Sequence, residues 1–206
     1  MIYTLENDNY ILKIDSFGAE LKSAKYNQDE YLHTGDGVYW KRSSPVLFPI
    51  VGRLKDDKYV YNSQTYTMPQ HGFGRLSEFD LGLESDNKLI FVLKENEETL
   101  LQYPFKFNFE ITYILHKNYF EIIYKVTSCE DILFSFGAHP AFKLHSSIDD
   151  SFIKFEKKEL SDLYYLDLDN GCIKGKKENF LNSDILKLEK DSFKDDALIF
   201  KKLNSN

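Results

Sequence analysis

Apolar and polar residues alternate along much of this chain, most clearly in two consecutive stretches. The first, FNFEITYIL at residues 107–115, places an apolar side chain at every second position, and YFEIIYKV at residues 119–126 alternates in the same way from Phe120. A repeat of two is typical of a half-buried β-strand, because successive side chains of a strand point to opposite faces. Their three-residue connection, residues 116–118, predicts that the two strands are antiparallel neighbours.

Shorter stretches of the same kind predict further strands. Residues 10–15 follow a polar turn after a first short strand, so the chain is expected to open with a hairpin. Residues 59–61 and 65–68 predict another hairpin, and helical signals are weak and confined to residues 97–103 and 182–186. The sequence therefore predicts an all-β fold, an antiparallel β-sandwich of two packed sheets.

Composition agrees with this fold class and argues against several functions. Aromatic residues make up 16% of the 206 residues, and aromatic rings suit the pleated surface of a sheet. A formal net charge of −7 argues against nucleic-acid binding, which relies on clustered lysine and arginine. Cys129 and Cys172 lack the spacing of a metal site, and no stretch has the character of a signal peptide or a membrane span. We expect a single cytoplasmic domain over residues 1–206, with no membrane partner.

Two of the five histidines lie where the backbone is constrained. His71 lies in PQHGFGR, and His139 lies near the end of ILFSFGAHPAF, a stretch that predicts a strand over residues 132–142. Each has a proline and a glycine within two residues, and such residues fix or bend the chain so that the side chain has little freedom. A positioned imidazole is what general acid–base catalysis requires. The other three, His33, His116 and His145, lie in polar loops or a turn, where a surface role is the better interpretation.

Arg53 is a third candidate, because it follows the apolar segment PVLFPIVG. Its guanidinium can donate two parallel hydrogen bonds to ligand oxygens, although pairing with Asp56 or Asp57 in the next loop is the better interpretation of Arg53 taken alone. Other chemistries lack their motifs, since we find no zinc pattern around the two histidines, no nucleophile elbow and no continuation of HGFG into a phosphate loop. No metal and no cofactor is therefore expected.

Taken together, these stretches resemble the aldose 1-epimerase (galactose mutarotase-like) family. The similarity begins at FGAELKSAKYNQDEYL, continues through YWKRSSPVLFPIVGRL and PQHGFGR, and reaches FSFGAHPAFKL. The pairing of HGFGR with GAHPAF is more specific than either motif alone. The resemblance implies a galactose mutarotase-like supersandwich that holds a sugar in an open cleft, where tyrosines and Trp40 could stack on the sugar.

The resemblance also implies a role for each candidate residue. His139 would be the general acid that protonates the ring oxygen, and His71 would hydrogen-bond the sugar and stabilise charge on the ring side. Arg53 would hold sugar hydroxyls. Gln70 and Arg75 match positions that contact ligand in the branch acting on hexose 6-phosphates. Interconversion of α and β anomers needs such an acid together with a base for the C1 hydroxyl proton.

The general base of the family is a glutamate in a late strand, and this sequence has no match for its motif. The sequence ends soon after DDALIFKKL, so we expect the sandwich to lack the family's final strands, and we assign no base. Exposed strand edges would then favour self-association. The alternative is that the sequence covers part of a longer enzyme.

Three functional hypotheses remain. The leading one is an aldose 1-epimerase, or mutarotase, that interconverts the anomers of a hexose by acid–base ring opening. The second is a hexose-6-phosphate 1-epimerase, which Gln70 and Arg75 favour because arginine suits phosphate oxygens. The third is a carbohydrate-binding module or pseudoenzyme without turnover, which the missing base favours.

Overall fold

The computed structural model describes residues 1–38 and 40–205. The chain forms two compact units, the first made of Met1–Arg53 and Asp57–Lys143, the second of Leu54–Asp56 and the chain from Leu144 onward. Within the described part, no helix has the length and apolar character needed to cross a membrane. The expected single domain over residues 1–206 stays a prediction.

Two antiparallel sheets make up most of the first unit. The N-terminal sheet has the order β1-β2-β3-β4, with β1 at Ile2–Glu6, β2 at Tyr10–Asp15, β3 at Glu20–Tyr26 and β4 at Asp29–Glu30. The other sheet has the order β11-β10-β9-β8, with β8 at Asp80–Ser85, β9 at Lys88–Lys94, β10 at Asn108–Leu115 and β11 at Phe120–Thr127.

Shorter elements lie outside these two sheets, and one of them, a helix, lies between β9 and β10 in the chain. They are β5 at Val46–Leu47, which pairs with β12 at Gly137–Ala138; the hairpin of β6 at Lys58–Tyr61 and β7 at Gln64–Thr67; helix α1 at Glu97–Gln102; and 3-10 turns at Lys55–Asp57, Gly74–Leu76 and Ile148–Asp150. The side chain of Asn96 caps α1 by accepting a 2.9 Å hydrogen bond from the backbone N–H of Thr99. The helix predicted at residues 97–103 is confirmed.

The predicted alternation in β10 and β11 is confirmed. Phe109, Ile111, Tyr113 and Leu115 are buried, and the residues between them are half-buried. The two strands are antiparallel, although their connection is one residue longer than expected. The two sheets pack against each other through side chains such as Tyr3 of β1 and Phe91 of β9, whose ring centroids are 5.4 Å apart. The antiparallel β-sandwich predicted from the sequence is therefore confirmed.

The second unit contains a long antiparallel hairpin of β13 at Phe152–Leu166 and β14 at Ile173–Lys187. Residues 182–186 lie in β14, where Asn182 pairs with Leu160 and Ile185 pairs with Lys154. The prediction of a short helix there is wrong, because pairing along the hairpin outweighs a weak local helical signal.

The strand predicted over residues 132–142 is reduced to β12. Its neighbours nevertheless bond to the same partner, since the N–H of Ser135 donates to the carbonyl of Pro49 and the N–H of Ala141 donates to that of Ser43. Leu133, at the start of this stretch, is 81% exposed. Residues 43–52 thus run beside residues 135–141, which include His139.

Phe48 lies at the centre of an aromatic cluster in the first unit. Its side chain is fully buried, and its ring is stacked on Phe109 with centroids 4.5 Å apart. Four further aromatic rings lie within 6.3 Å of it, those of Phe73, Tyr103, Phe107 and Phe134. Residues 43–52 therefore pass through the core, and they do not form a loose surface loop.

Gly72 packs its backbone directly against this segment. Its φ is +71°, and a Cβ at this position would lie 2.2 Å from the carbonyl oxygen of Phe48. Both the left-handed conformation and the close approach require glycine. The turn that carries His71 is thereby pressed against the buried backbone of Phe48.

Phe48→Ala is expected to lower the free energy of unfolding by about 3–5 kcal/mol, the usual cost of emptying a buried aromatic site. Leu101→Ala is the control, because Leu101 is 77% exposed and its loss is expected to change stability by less than about 0.5 kcal/mol. Urea unfolding of both variants tests this, and equal midpoints would contradict the central place of Phe48.

Gly72→Ala is expected to lower the free energy of unfolding by about 1–3 kcal/mol from the strain of an alanine at a positive φ. The clash of its Cβ with Phe48 is expected to lower it further. Gly175→Ala is the matched control, since no atom lies within 4 Å of a Cβ added to this residue of β14. Thermal unfolding measures both, and a Gly72→Ala variant as stable as the Gly175→Ala variant would show that the turn can move away.

Candidate functional site

Both candidate histidines are hydrogen-bonded through their backbones to residues 43–52. The N–H of His139, directly after β12, donates to the carbonyl of Pro45 over 3.1 Å. On the other edge, the N–H of His71 donates to the carbonyl of Gly52 over 2.7 Å, and the carbonyl of His71 accepts from the N–H of Phe48 over 3.2 Å. One backbone segment thus holds two residues that are far apart in the sequence.

The imidazole rings of His71 and His139 lie close together. Their centroids are 5.8 Å apart, with an angle of 71° between the ring planes. The indole ring of Trp40 lies beside His139, with its centroid 5.0 Å from that of the imidazole. The structure therefore brings together the two histidines that the sequence analysis singled out.

The hydrogen bonds of His71 determine which ring nitrogen carries its proton. The backbone N–H of Gly52 donates to Nδ1 over 3.0 Å, so Nδ1 acts as an acceptor and the neutral ring carries its proton on Nε2. His71 has a φ of +66°, which is an unusual conformation for a residue with a side chain. Hydrogen bonds with Phe48 and Gly52 hold His71 in this strained position. Strained residues held in this way are common at functional sites.

His33 has a structural role that the sequence analysis missed. Its Nε2 donates to the carbonyl of Trp40 over 2.8 Å and lies 3.7 Å from a carboxylate oxygen of Asp36. Its backbone N–H donates to the carbonyl of Ala141, two residues beyond His139. His33 therefore ties the loop that carries Trp40 to the His139 segment. The sequence does not show this role, because His33 is hydrogen-bonded to the backbone carbonyls of Trp40 and of the distant Ala141.

Arg53 pairs with Asp57, as the alternative interpretation of the sequence expected. Its Nε and Nη2 donate to the two carboxylate oxygens over 2.8 and 3.0 Å. The hydrogen bonds from Arg53 hold the pKa of Asp57 below its usual value. Both side chains are partly exposed, so solvent screens the attraction between their charges. A role for Arg53 at sugar hydroxyls stays a prediction.

Gln70 and Arg75 flank the turn of His71 and are joined to each other. Nη2 of Arg75 donates to the backbone carbonyl of Gln70 over 2.8 Å. Burial lowers the pKa of the Arg75 guanidinium, and the nearby Arg42 lowers it further. Nε of Arg75 is buried without a hydrogen-bond partner among the described residues. In this structure Arg75 braces the turn, and contact of either residue with a ligand stays a prediction.

An apolar groove of about 480 Å³ lies on the other side of the His139 segment. Ala138 and Pro140 line it together with aromatic residues such as Tyr26, Phe120 and Tyr124. Because successive side chains of an extended chain alternate, His139 points away from the side that Ala138 and Pro140 line. The groove is thus separate from the histidine pair. The self-association expected from exposed strand edges stays a prediction.

The described residues contain no group of three His, Cys, Asp or Glu side chains arranged to hold a metal ion. The candidate site consists instead of two imidazoles and an indole. The two imidazoles can donate and accept protons, and the indole can pack against a flat apolar surface such as the face of a sugar ring.

Comparison with known proteins identifies the family. The family model described as aldose 1-epimerase matches residues 1–204. The protein LacX (plasmid) of Lactococcus lactis subsp. lactis is 33% identical over 151 residues, which is 69% of this chain and 50% of that protein. The chain therefore spans about half the length of the curated relatives it matches.

Solved structures agree with this assignment. A galactose mutarotase related enzyme from Lactobacillus acidophilus has a TM-score of 0.86 at 35% identity, over 97% of this chain and 69% of that one. A galactose mutarotase-like protein from Lactobacillus casei ATCC 334 has a TM-score of 0.75 at 32% identity, over 88% and 67%. The chain belongs to the aldose 1-epimerase family, and its fold is the galactose mutarotase-like antiparallel β-sandwich.

Proposed function

We propose that this chain acts on a free hexose as an aldose 1-epimerase, with His139 and His71 at the pyranose ring. The observation that carries the proposal is the separation of 5.8 Å between the two imidazole centroids, which lets both rings reach one sugar. The family assignment and the galactose mutarotase related enzyme of L. acidophilus support a sugar as the ligand.

In this proposal His139 is the general acid. A protonated imidazole gives its proton to the ring oxygen while the C1 hydroxyl loses its own, so that the bond between C1 and the ring oxygen breaks and C1 becomes an aldehyde. Rotation about C1–C2 and closure on the other face return both protons. An imidazole suits this exchange because it takes up and releases a proton near neutral pH.

His71 acts as a hydrogen-bond donor to the sugar in the same scheme. Its Nδ1 accepts from Gly52, so Nε2–H is the donor of the neutral ring, and we assign to it the hydrogen bond to a sugar oxygen. The proton of the C1 hydroxyl goes to a base that we do not assign to a residue of this chain. The reaction balances with proton transfers alone, and no redox step enters.

His139→Ala is expected to slow mutarotation of α-galactose or α-glucose by about 10²–10⁴-fold, the usual contribution of a positioned acid. Polarimetry on freshly dissolved sugar measures the rate. His116→Ala is the control, because His116 lies in a turn and pairs with Glu121.

His71→Asn replaces the second imidazole by a side chain that tolerates a positive φ. It is expected to weaken sugar binding, which calorimetry measures.

The outcomes separate an enzyme from a binding module. Saturable sugar binding without acceleration of mutarotation would favour a carbohydrate-binding module or pseudoenzyme. The absence of both from the unmodified chain would contradict the proposal.

A hexose-6-phosphate 1-epimerase is the second candidate, and the position of Arg75 beside the His71 turn favours it. The net charge of −7 favours an uncharged sugar instead. Thermal-shift titration compares the two, because a ligand stabilises the folded state according to its affinity and concentration. We expect galactose or glucose to raise the Tm at least as much as the 6-phosphates do. If a 6-phosphate gives the larger Tm shift, and if Arg75→Gln abolishes that shift, the substrate is a hexose 6-phosphate.

A further inference from the structure

Glu20, the first residue of β3, is a buried carboxylate with several donors around it. Its side chain is 5% exposed, and Oε1 accepts from the backbone N–H groups of Ser43 and Ser44 over 2.6 and 3.1 Å. Lys22 donates to Oε1 over 3.3 Å, and Nη1 of Arg42 lies 3.5 Å from Oε2. Hydrogen bonds to a charged group are about twice as strong as neutral ones, so this carboxylate fixes the start of residues 43–52 firmly.

The backbone before Glu20 is itself held in place. Gly18 and Ala19 both have positive φ values, and the carbonyl of Ala19 accepts a hydrogen bond from the hydroxyl of Tyr113. Burial raises the pKa of Tyr113 well above its usual value, so the hydroxyl stays protonated and continues to donate. Glu20 is therefore connected through Ala19 to the rigid core strand β10.

One chain of bonds leads from Glu20 to His139. Glu20 holds the N–H groups of Ser43 and Ser44, and the carbonyls of Ser43 and Pro45 accept from Ala141 and His139 respectively. Ser43 and Pro45 lie in the same short stretch as the N–H groups that Glu20 binds. The carboxylate of Glu20 therefore fixes the two carbonyls to which the His139 segment is hydrogen-bonded.

A second chain of bonds leads from Glu20 to His71. Nη1 of Arg42, which pairs with Glu20, donates to the carbonyl of Arg75 over 3.1 Å. Nη2 of Arg75 in turn donates to the carbonyl of Gln70, the residue directly before His71. Arg42 and Arg75 thus connect the buried carboxylate to the turn that carries the second imidazole.

We propose that Glu20 is a positioning residue that fixes the distance and orientation of the imidazoles of His71 and His139 relative to each other. It touches neither ring and acts through Ser43 and Ser44 on one side and through Arg42 on the other. Its consequence for sugar chemistry rests on the proposed function, but the placement of the rings is measurable without sugar. A misplacement of about 1 Å costs on the order of 10²-fold in rate when a reaction depends on orientation.

The test follows the imidazole resonances of His71 and His139 by NMR in the full chain. Glu20→Gln is expected to shift both sets of resonances and the amide resonance of Gly52, which bonds to Nδ1 of His71. Arg42→Met keeps the aliphatic stem and removes the bonds to Glu20 and Arg75, so it is expected to shift His71 and to leave His139 in place. This difference distinguishes positioning from the loss of a distant charge.

Glu159→Gln is the matched control. Glu159 of β13 is also a buried carboxylate that accepts two backbone hydrogen bonds, from the N–H groups of Asn204 and Ser205 over 2.6 and 2.7 Å, and it belongs to the second unit. We expect this variant to leave both imidazoles unchanged even if its Tm falls. Unchanged resonances in Glu20→Gln, or equal shifts in Glu159→Gln, would overturn the inference. If Glu20→Gln does not fold, unchanged His71 resonances in Arg42→Met would overturn it as well.

The same variants are then assayed with galactose. Glu20→Gln is expected to lower kcat/KM, or the affinity of a chain without turnover, by roughly tenfold to hundredfold. If the unmodified chain neither binds nor interconverts sugar, the proposed function is wrong, while the NMR result still decides whether Glu20 positions the rings. If the unmodified chain is active and Glu20→Gln is equally active, Glu20 has no positioning role in the reaction.

Discussion

Hydrogen bonding along both edges of residues 43–52 brings the two histidines of the candidate site together. Carbonyls of Ser43, Pro45 and Pro49 bind the stretch that carries His139, whereas Phe48 and Gly52 bind the turn of His71. An extended backbone alternates the direction of its polar groups, so one segment can serve two neighbours at once. The convergence of the two imidazoles is therefore a property of backbone pairing, and it does not require the rings to bind each other.

Burial gives this segment its rigidity. Phe48 fixes it in the aromatic core, and Gly72 allows the His71 turn to approach closer than any other residue would permit. The strained φ of His71 is stabilised by bonds to Phe48 and Gly52 and by the bracing from Arg75 to Gln70. A side chain that is held in this way loses little further freedom when a ligand binds, which is the physical benefit of preorganisation.

Local signals in the sequence predicted a large part of this arrangement. Alternation predicted β10 and β11, and the glycines and prolines around His71 and His139 marked the two positions that the structure brings together. Bonds between distant residues were not visible in the sequence, which is why the positions of Glu20 and His33 were missed. The weak helical signal at residues 182–186 failed for the same reason, because strand pairing with β13 decided the conformation.

We propose that one sugar contacts both imidazoles, and an NMR titration with galactose distinguishes this arrangement from separate binding at each ring. The imidazole resonances of His71 and His139 are followed as the sugar concentration rises. If one sugar contacts both rings, both sets of resonances move along a single saturation curve with one Kd. Movement of only one histidine, two different curves, or no saturable change would rule this arrangement out.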